Sequence, residues 1–196
     1  MIDITFDNFY SFDSKKRKAF INDVEVLKQM VKNNVSEHRY LHSLSVGDVC
    51  KKLAHKHSVD ENKAYIAGIL HDCCKFPDDD KLNVLEEYLK YYDPEKLTGK
   101  YKDAFGAYHS WVGKYYLKEK LNFHDSDILN AIYNHTICES RDKLSIILYI
   151  ADKREPLRKI NDNILDLAFI NLYEAYDKLR WDVKKYIESN DERFIG

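Results

Sequence analysis

The sequence predicts an all-α fold, and three observations predict it. Among 196 residues there are only six Gly and three Pro, too few for the many tight turns of a sandwich or barrel of short strands. Apolar residues recur at steps of three and four along most of the chain, which is the period of an amphipathic helix. Side chains able to cap a helix stand before several of these runs. The length suits one hydrophobic core.

Taken in order, residues Ile2 to Phe12 alternate only loosely, and a short strand and an irregular arm both stay open. After Ser14 the apolar positions Phe20, Ile21, Val24, Leu27, Met30 and Val31 predict the first helix. Ser36 caps a second, with Leu41, Leu44, Val49, Leu53 and Ala54 on its apolar line. Asp60 caps a third through Ala64, Ile66, Ala67, Ile69 and Leu70, stopping near Pro77. Asp78 to Tyr92 reads as a helix whose acidic first turn complements the dipole. Between Asp93 and Tyr108, Pro94, Gly99 and Gly106 mark the least regular stretch, where a mobile lid over a site would fit. Helices resume at His109 to Leu121, at Ser126 to Thr136 after the Asp125 cap, and at Lys143 to Lys153. The last is apolar almost all round and should be central. From Asp162 to Ser189 the pattern gives one long helix or two.

Charge and cysteine content exclude several functions. Lys plus Arg is 31 and Asp plus Glu is 33, a net charge of −2, so nothing global favours nucleic acid or an anionic membrane as partner. The acidic start of the chain does not resemble a signal or transit peptide, and no run of apolar residues is long enough to span a bilayer. Cys50, Cys73, Cys74 and Cys138 contain no Cys-x-x-Cys pair and read as reduced, mostly buried thiols, which makes the cytoplasm the expected compartment.

Of eight histidines, those that could join carboxylates around a metal matter most. The dipeptide His-Asp occurs twice. His124-Asp125 lies in a polar junction where Asp125 serves as a cap, whereas His71-Asp72 closes the apolar run Ala64 to Leu70. An ionisable pair at the end of a buried segment needs a partner or a cation to offset its desolvation. Asp152 ends the apolar run Leu144 to Ala151, with only Lys153 or Arg154 nearby as alternative partners. His42 lies within the second helix. Together His42, His71, Asp72 and Asp152 make a mixed nitrogen and oxygen donor set suited to iron, manganese or zinc, with positions left for water and substrate.

The order of a helical His, then His-Asp, then a distant Asp resembles the HD-domain phosphohydrolases, all-α metal enzymes, and implies an HD-domain-like helical bundle with a buried metal site. Further motifs are Arg39-Tyr40-Leu41-His42-Ser43, Leu70-His71-Asp72-Cys73-Cys74-Lys75, His109 before Val112-Gly113, Tyr133-Asn134-His135-Thr136, and Tyr149-Ile150-Ala151-Asp152 with Glu155-Pro156 and Arg158 following. These resemble the bacterial YqeK family of symmetrical bis(5′-nucleosyl)-tetraphosphatases, over roughly Asp23 to Arg180. On that resemblance residues 21–196 form one HD domain, and residues 1–20 are an arm and helix start of open role. Two departures stand out: Ser110-Trp111 follows His109 where the family pattern has Gly-Pro, and the family's C-terminal nucleotide contacts have no clear counterpart near Glu192 to Gly196.

The resemblance implies cleavage of diadenosine tetraphosphate to two ADP by a metal-activated water. Iron would sit at His42, His71, Asp72 and Asp152, and a second metal joining with substrate stays open. Asp72, Lys75, His109, His135 and Asp152 are the implied catalytic residues. Arg39, Asp72, Cys73, Cys74, Lys75, His109, His135, Asp152 and Arg158 are the implied substrate contacts. The partners are then a dinucleoside polyphosphate and its ADP product, with no nucleic acid or membrane and with a homodimer left open. Arg39 pairing with Glu37, solvated Lys75 and Arg158, and His135 as a helix-ending cation are the plainer alternatives. The tyrosines Tyr91, Tyr92, Tyr101, Tyr108, Tyr115 and Tyr116 read as packing residues, and His38, His55 and His57 as surface ones. Competing functions are an HD phosphohydrolase of a mononucleotide or cyclic dinucleotide and a non-catalytic nucleotide sensor.

Overall fold

A computed structural model describes residues 3–76, 81–102 and 104–190. Its described residues form ten α-helices and no strand. They are α1 (Ser14–Phe20), α2 (Val24–Asn34), α3 (Glu37–Lys56), α4 (Glu61–Leu70), α5 (Lys81–Tyr92), α6 (Tyr108–Leu121), α7 (Ser126–Asn134), α8 (Lys143–Arg154), α9 (Ile164–Ile170) and α10 (Leu172–Asn190). None is long and apolar enough to cross a membrane. Helix α8 is the axis, with every residue from Leu144 to Lys153 buried, and it packs against α3, α4, α7, α9 and α10.

The expected caps at Ser36, Asp60 and Asp125 are in place, each side chain accepting a main-chain N–H of the first turn. The run expected as one helix from Ser14 to Val31 is broken in two. Asp23 accepts from the N–H groups of Glu25 and Val26 and so starts α2 afresh, while Asp13 caps α1. Of the two options for the C-terminal run, the structure takes the pair of helices, with the Asn171 side chain accepting from the Glu174 N–H at 3.2 Å. The expected acidic turn Asp78–Asp80, the stop at Pro77 and the stretch Glu192 to Gly196 lie outside the described residues.

The N-terminal arm is irregular and not a strand. Ile4, Phe6 and Phe9 are buried in the common core, and Phe9–Ser11 forms a single 3-10 turn. The stretch after α5 holds three more such turns, at Pro94–Leu97, Gly99–Tyr101 and Phe105–Ala107. Far from hanging free, it is tied to its surroundings: Asp93 Oδ2 accepts from Tyr133 at 2.6 Å and Tyr115 at 3.2 Å, and Lys100 and Tyr101 both bond Glu139. Tyr92 and Tyr115 stack with ring centroids 4.9 Å apart, so these tyrosines pack as expected.

The closest helix pair, α3 with α4, carries His42 and His71. Its approach depends on Gly68, because a Cβ there would stand 2.6 Å from Gly47 Cα and 2.7 Å from Gly47 N. A Cβ on Gly47 would instead meet chiefly the half-buried Tyr65 ring, at 3.0 Å. Gly68→Ala therefore has to push two main chains apart, and the expected loss is about 1–3 kcal/mol. Gly47→Ala should cost clearly less, since a ring edge can swing aside and Ala favours the helix. Urea unfolding of the two metal-free variants measures this, and equal losses would contradict the assigned role of Gly68.

Candidate metal centre

Helices α4, α7 and α8 deliver their C-terminal ends to one place. His71 and His135 are the C-cap residues of α4 and α7, Asp72 follows at the next position, and Asp152 sits in the last turn of α8. Three helix C-termini bring partial negative charge to this point and favour a cation there. The two cap histidines use the same device. His71 Nδ1 donates to the Gly68 carbonyl and His135 Nδ1 to the Ile132 carbonyl, each at 2.7 Å. Since a carbonyl can only accept, Nδ1 carries the proton in both rings and each Nε2 points onward as a lone pair.

His42 arrives from the first third of α3, with Nδ1 3.1 Å from Glu155 Oε1 and Nε2 3.1 Å from Asp152 Oδ1. The Glu155 carboxylate accepts the Nδ1 proton, so His42 Nε2 and Asp152 Oδ1 are two acceptors face to face, and a proton or a metal cation must lie between them. His71 Nε2 is 3.4 Å from Asp72 Oδ1 and 3.6 Å from Asp152 Oδ1. His71 Nε2 and both Asp72 carboxylate oxygens are buried without a hydrogen-bond partner among the described residues. Leaving such groups unmet is costly. A divalent cation held by His42, His71, Asp72 and Asp152 answers every one of these lone pairs, and two imidazoles with two carboxylates are a donor set that iron, manganese and zinc accept. The residues present therefore fit a metal.

Asp72 also faces a second cluster. His109, from the first turn of α6, places Nε2 3.3 Å from Asp72 Oδ1 and 2.9 Å from His135 Nε2. The candidate ligand atoms of His42, His71 and Asp72 form one compact group and those of Asp72, His109 and His135 another, so Asp72 is common to both. Burial lowers the pKa of His109 to about 3 and also lowers that of His135. Both rings are thus neutral, and His109 Nε2 carries the proton offered to His135. Burial would raise Asp72, but His71, Lys75, His109 and His135 outweigh it and hold the carboxyl well below its usual range. The same balance, with Lys153, His42 and His71, keeps Asp152 ionised. Burial would lower His71, and the two carboxylates reverse it, so its pKa is raised.

Cationic side chains ring this centre. Arg39 Nη1 and Lys75 Nζ lie 3.6 and 3.7 Å from Asp72 Oδ2. Arg158 Nη2 donates to Asp152 Oδ1 at 2.9 Å, and its Nε to the Asp152 carbonyl. Each sequence-derived site residue is therefore at the cluster except the cysteines. Cys73 and Cys74 are buried in the core, with their sulfurs 3.9 Å apart.

Two residues carry more than their sequence context announced. Lys153 is buried and donates to the His135 carbonyl at 2.9 Å and to Asp152 Oδ2 at 3.4 Å. Glu155, 2% exposed, holds His42. Both stand in the run Asp152 to Glu155, for which the sequence offered Lys153 only as a possible partner of Asp152 and Glu155 only as part of a motif. The signal was the apolar helix before them, which leaves no exposed face. Arg154 turns away to Asp162, so of the two alternative partners for Asp152 only Lys153 is used. His57, expected on the surface, is partly buried and donates to the Ala168 carbonyl at 2.6 Å.

An all-α bundle whose helix ends converge on His, His-Asp and Asp is the architecture of the HD domain, and the model of that domain matches residues 39–157. Curated relatives narrow the class. A symmetrical bis(5′-nucleosyl)-tetraphosphatase of Halalkalibacterium halodurans is 32% identical over 67% of this chain and 68% of its own length. Its namesake of Staphylococcus aureus is 30% identical over 83% of this chain and 82% of its own. The chain belongs to this YqeK-type family of HD-domain proteins. A probable nicotinate-nucleotide adenylyltransferase/Ap4A hydrolase of Mycoplasma genitalium is 36% identical over 74% of this chain, which spans only 42% of that longer protein. Among solved structures, a predicted HD superfamily hydrolase involved in NAD metabolism from Clostridium acetobutylicum superposes with TM-score 0.72 at 26% identity, over 93% of this chain and 91% of its own.

The neutral burial of His109 has a consequence for acid stability. Its pKa is about 3 in the fold against an ordinary 6.5. Below that ordinary value the unfolded chain takes up a proton that the folded chain refuses, so stability falls with acidification by up to about 1.4 kcal/mol per pH unit. His135 acts in the same direction. His71, being raised, contributes fully at low pH and loses its contribution only as pH rises through its folded pKa. Metal-free protein should thus weaken from about pH 6.5 to about pH 4, and His109→Gln should flatten that slope. Urea midpoints across this range give the slope, and identical slopes would contradict a neutral buried His109.

Proposed function

We propose that this chain is a metal-dependent phosphohydrolase that cleaves diadenosine tetraphosphate symmetrically into two ADP. The observation that carries the reading is the buried cluster of His42, His71, Asp72 and Asp152, in which His71 Nε2 and both Asp72 oxygens have no hydrogen-bond partner among the described residues, with Arg39, Lys75, His109, His135 and Arg158 beside it. The relatives named symmetrical bis(5′-nucleosyl)-tetraphosphatase supply the substrate and the position of the cut. Iron is the proposed metal, with manganese and zinc as alternatives, and the Asp72, His109 and His135 group is where a second would join with substrate. Four free thiols with no disulfide accord with a cytoplasmic setting.

A divalent cation held by the four ligands supplies Lewis acidity toward water and toward the phosphoryl oxygens. The chain's own groups do the rest. Asp72 and Asp152, kept ionised by their cationic neighbours, accept hydrogen bonds from the attacking water and orient it. Lys75 and Arg39 both lean on Asp72 Oδ2 and can turn spare N–H donors to a phosphate, with Arg158 doing so from beside Asp152. His109 is neutral, and its Nε2–H, which rests on His135 Nε2 in the substrate-free fold, can turn to the leaving oxygen as a hydrogen-bond donor when no second metal takes that nitrogen, without giving up its proton. That suffices because ADP departs as a stabilised phosphate anion.

A second reading, hydrolysis of another nucleotide, draws on the neighbour named for NAD metabolism. Both readings are separated by resolving products from metal-loaded protein: ADP alone from diadenosine tetraphosphate is expected, while ATP plus AMP, or turnover only of a mononucleotide or cyclic dinucleotide, would overturn the symmetrical cut. Tight nucleotide binding without turnover in iron, manganese or zinc would point to a sensor. Lys75→Ala and Arg158→Ala should each lower kcat/KM roughly 10- to 100-fold, the worth of one hydrogen bond to a charged group. Unchanged kcat/KM in both would remove them from the phosphate site.

A further inference from the structure

Glu155 is the residue that the proposed reaction does not use and that the structure spends most on. Its carboxylate is almost wholly buried, and among the described residues no Lys or Arg pairs with it. Oε1 accepts from His42 Nδ1 at 3.1 Å. Oε2 accepts from Ser45 Oγ at 2.6 Å and from the Leu157 N–H at 2.7 Å. The first bond fixes the ring of a metal ligand. The last caps the 3-10 turn Pro156–Arg158, which carries Arg158 to Asp152 and ends on Lys159 at φ 54°, a left-handed conformation that a lysine adopts only when held.

We propose that Glu155 is a positioning residue whose two oxygens tie the His42 metal ligand to the Arg158 turn, so that metal retention and phosphate binding depend on one carboxylate. The proposal rests on the metal-centre reading above. Its physical basis is that a carboxylate accepting from a ligating imidazole fixes the tautomer and makes the other nitrogen a better donor to metal. A buried carboxylate with only neutral donors is expensive, and a cation at His42 Nε2 is the charge that would offset it through the ring. Ser45, on α3 three residues beyond His42, anchors the carboxylate from the helix side through its bond to Oε2.

Glu155→Gln is the discriminating change because an amide has one acceptor where the site needs two. If its oxygen stays on His42, its NH2 confronts the Leu157 N–H and the turn loses its cap. If it flips, the NH2 donates to His42 Nδ1 and forces the proton onto Nε2, the wrong tautomer for a ligand. Relief of a buried charge offsets the lost cap bond, so the metal-free fold should stay close to wild-type stability, which separates positioning from plain structural support.

The test loads wild type, Glu155→Gln and Ser45→Ala with Mn²⁺ alone under chelator competition, and records urea midpoints without metal. Expected are a 10- to 100-fold loss of metal affinity in Glu155→Gln, a smaller loss in Ser45→Ala, an unchanged metal-free midpoint, and a several-fold weaker inhibition constant for ADP at saturating Mn²⁺. Wild-type metal affinity in Glu155→Gln, or an affinity loss that merely follows a lowered metal-free midpoint, would overturn the proposal. Failure of the wild type to take up metal would overturn the metal-centre reading beneath it, a distinct result.

Discussion

Acceptors facing acceptors in a buried space constrain everything else in this molecule. His42 Nε2 and Asp152 Oδ1 meet at 3.1 Å, while among the described residues His71 Nε2 and the Asp72 oxygens have no hydrogen-bond partner. Three helix C-termini add partial negative charge from the same side. Without positive charge at its centre such an arrangement is repulsive and desolvated, and water has little access to relieve it. The fold answers in two ways. It leaves a set of lone pairs matched to a divalent metal, and it surrounds the carboxylates with Arg39, Lys75, Lys153 and Arg158 so that they remain ionised.

The scaffold is arranged to hold these groups in register. The Gly68 contact with Gly47 brings α3 against α4 and so His42 against His71. The His71 imidazole satisfies the Gly68 carbonyl at the end of α4, and the His135 imidazole adds a second donor to the Ile132 carbonyl, which also accepts the His135 N–H; in both cases Nε2 is left pointing forward. One bond thus serves both the helix and the site. Although the net charge of the chain is only −2, Arg39, Lys75, Lys153 and Arg158 are gathered around two buried carboxylates.

The helical fold was legible because its signals are local: caps at Ser36, Asp60 and Asp125, and apolar steps that match the buried faces. The break at Asp23 was missed because the apolar steps run straight across it, and only the side-chain bonds to Glu25 and Val26 interrupt the helix. The approach of His71-Asp72 to Asp152 was legible from chemistry that buried positions cannot otherwise explain, ionisable groups at the ends of two apolar helices. Lys153 and Glu155 were not, since a charge beside another charge at a helix end is usually solvated, and only the packing of α8 shows that here it is not. Cys73 and Cys74 are buried, as a pair of reduced thiols in a helical core should be.

The central claim is that these buried lone pairs exist to hold a cation. Crystals of the metal-loaded protein, with anomalous differences collected at the metal's absorption edge, test it most directly. The account predicts an anomalous peak enclosed by His42, His71, Asp72 and Asp152 that disappears in Asp152→Ala. A map without a peak among those side chains, or a peak that persists there in the variant, would contradict it.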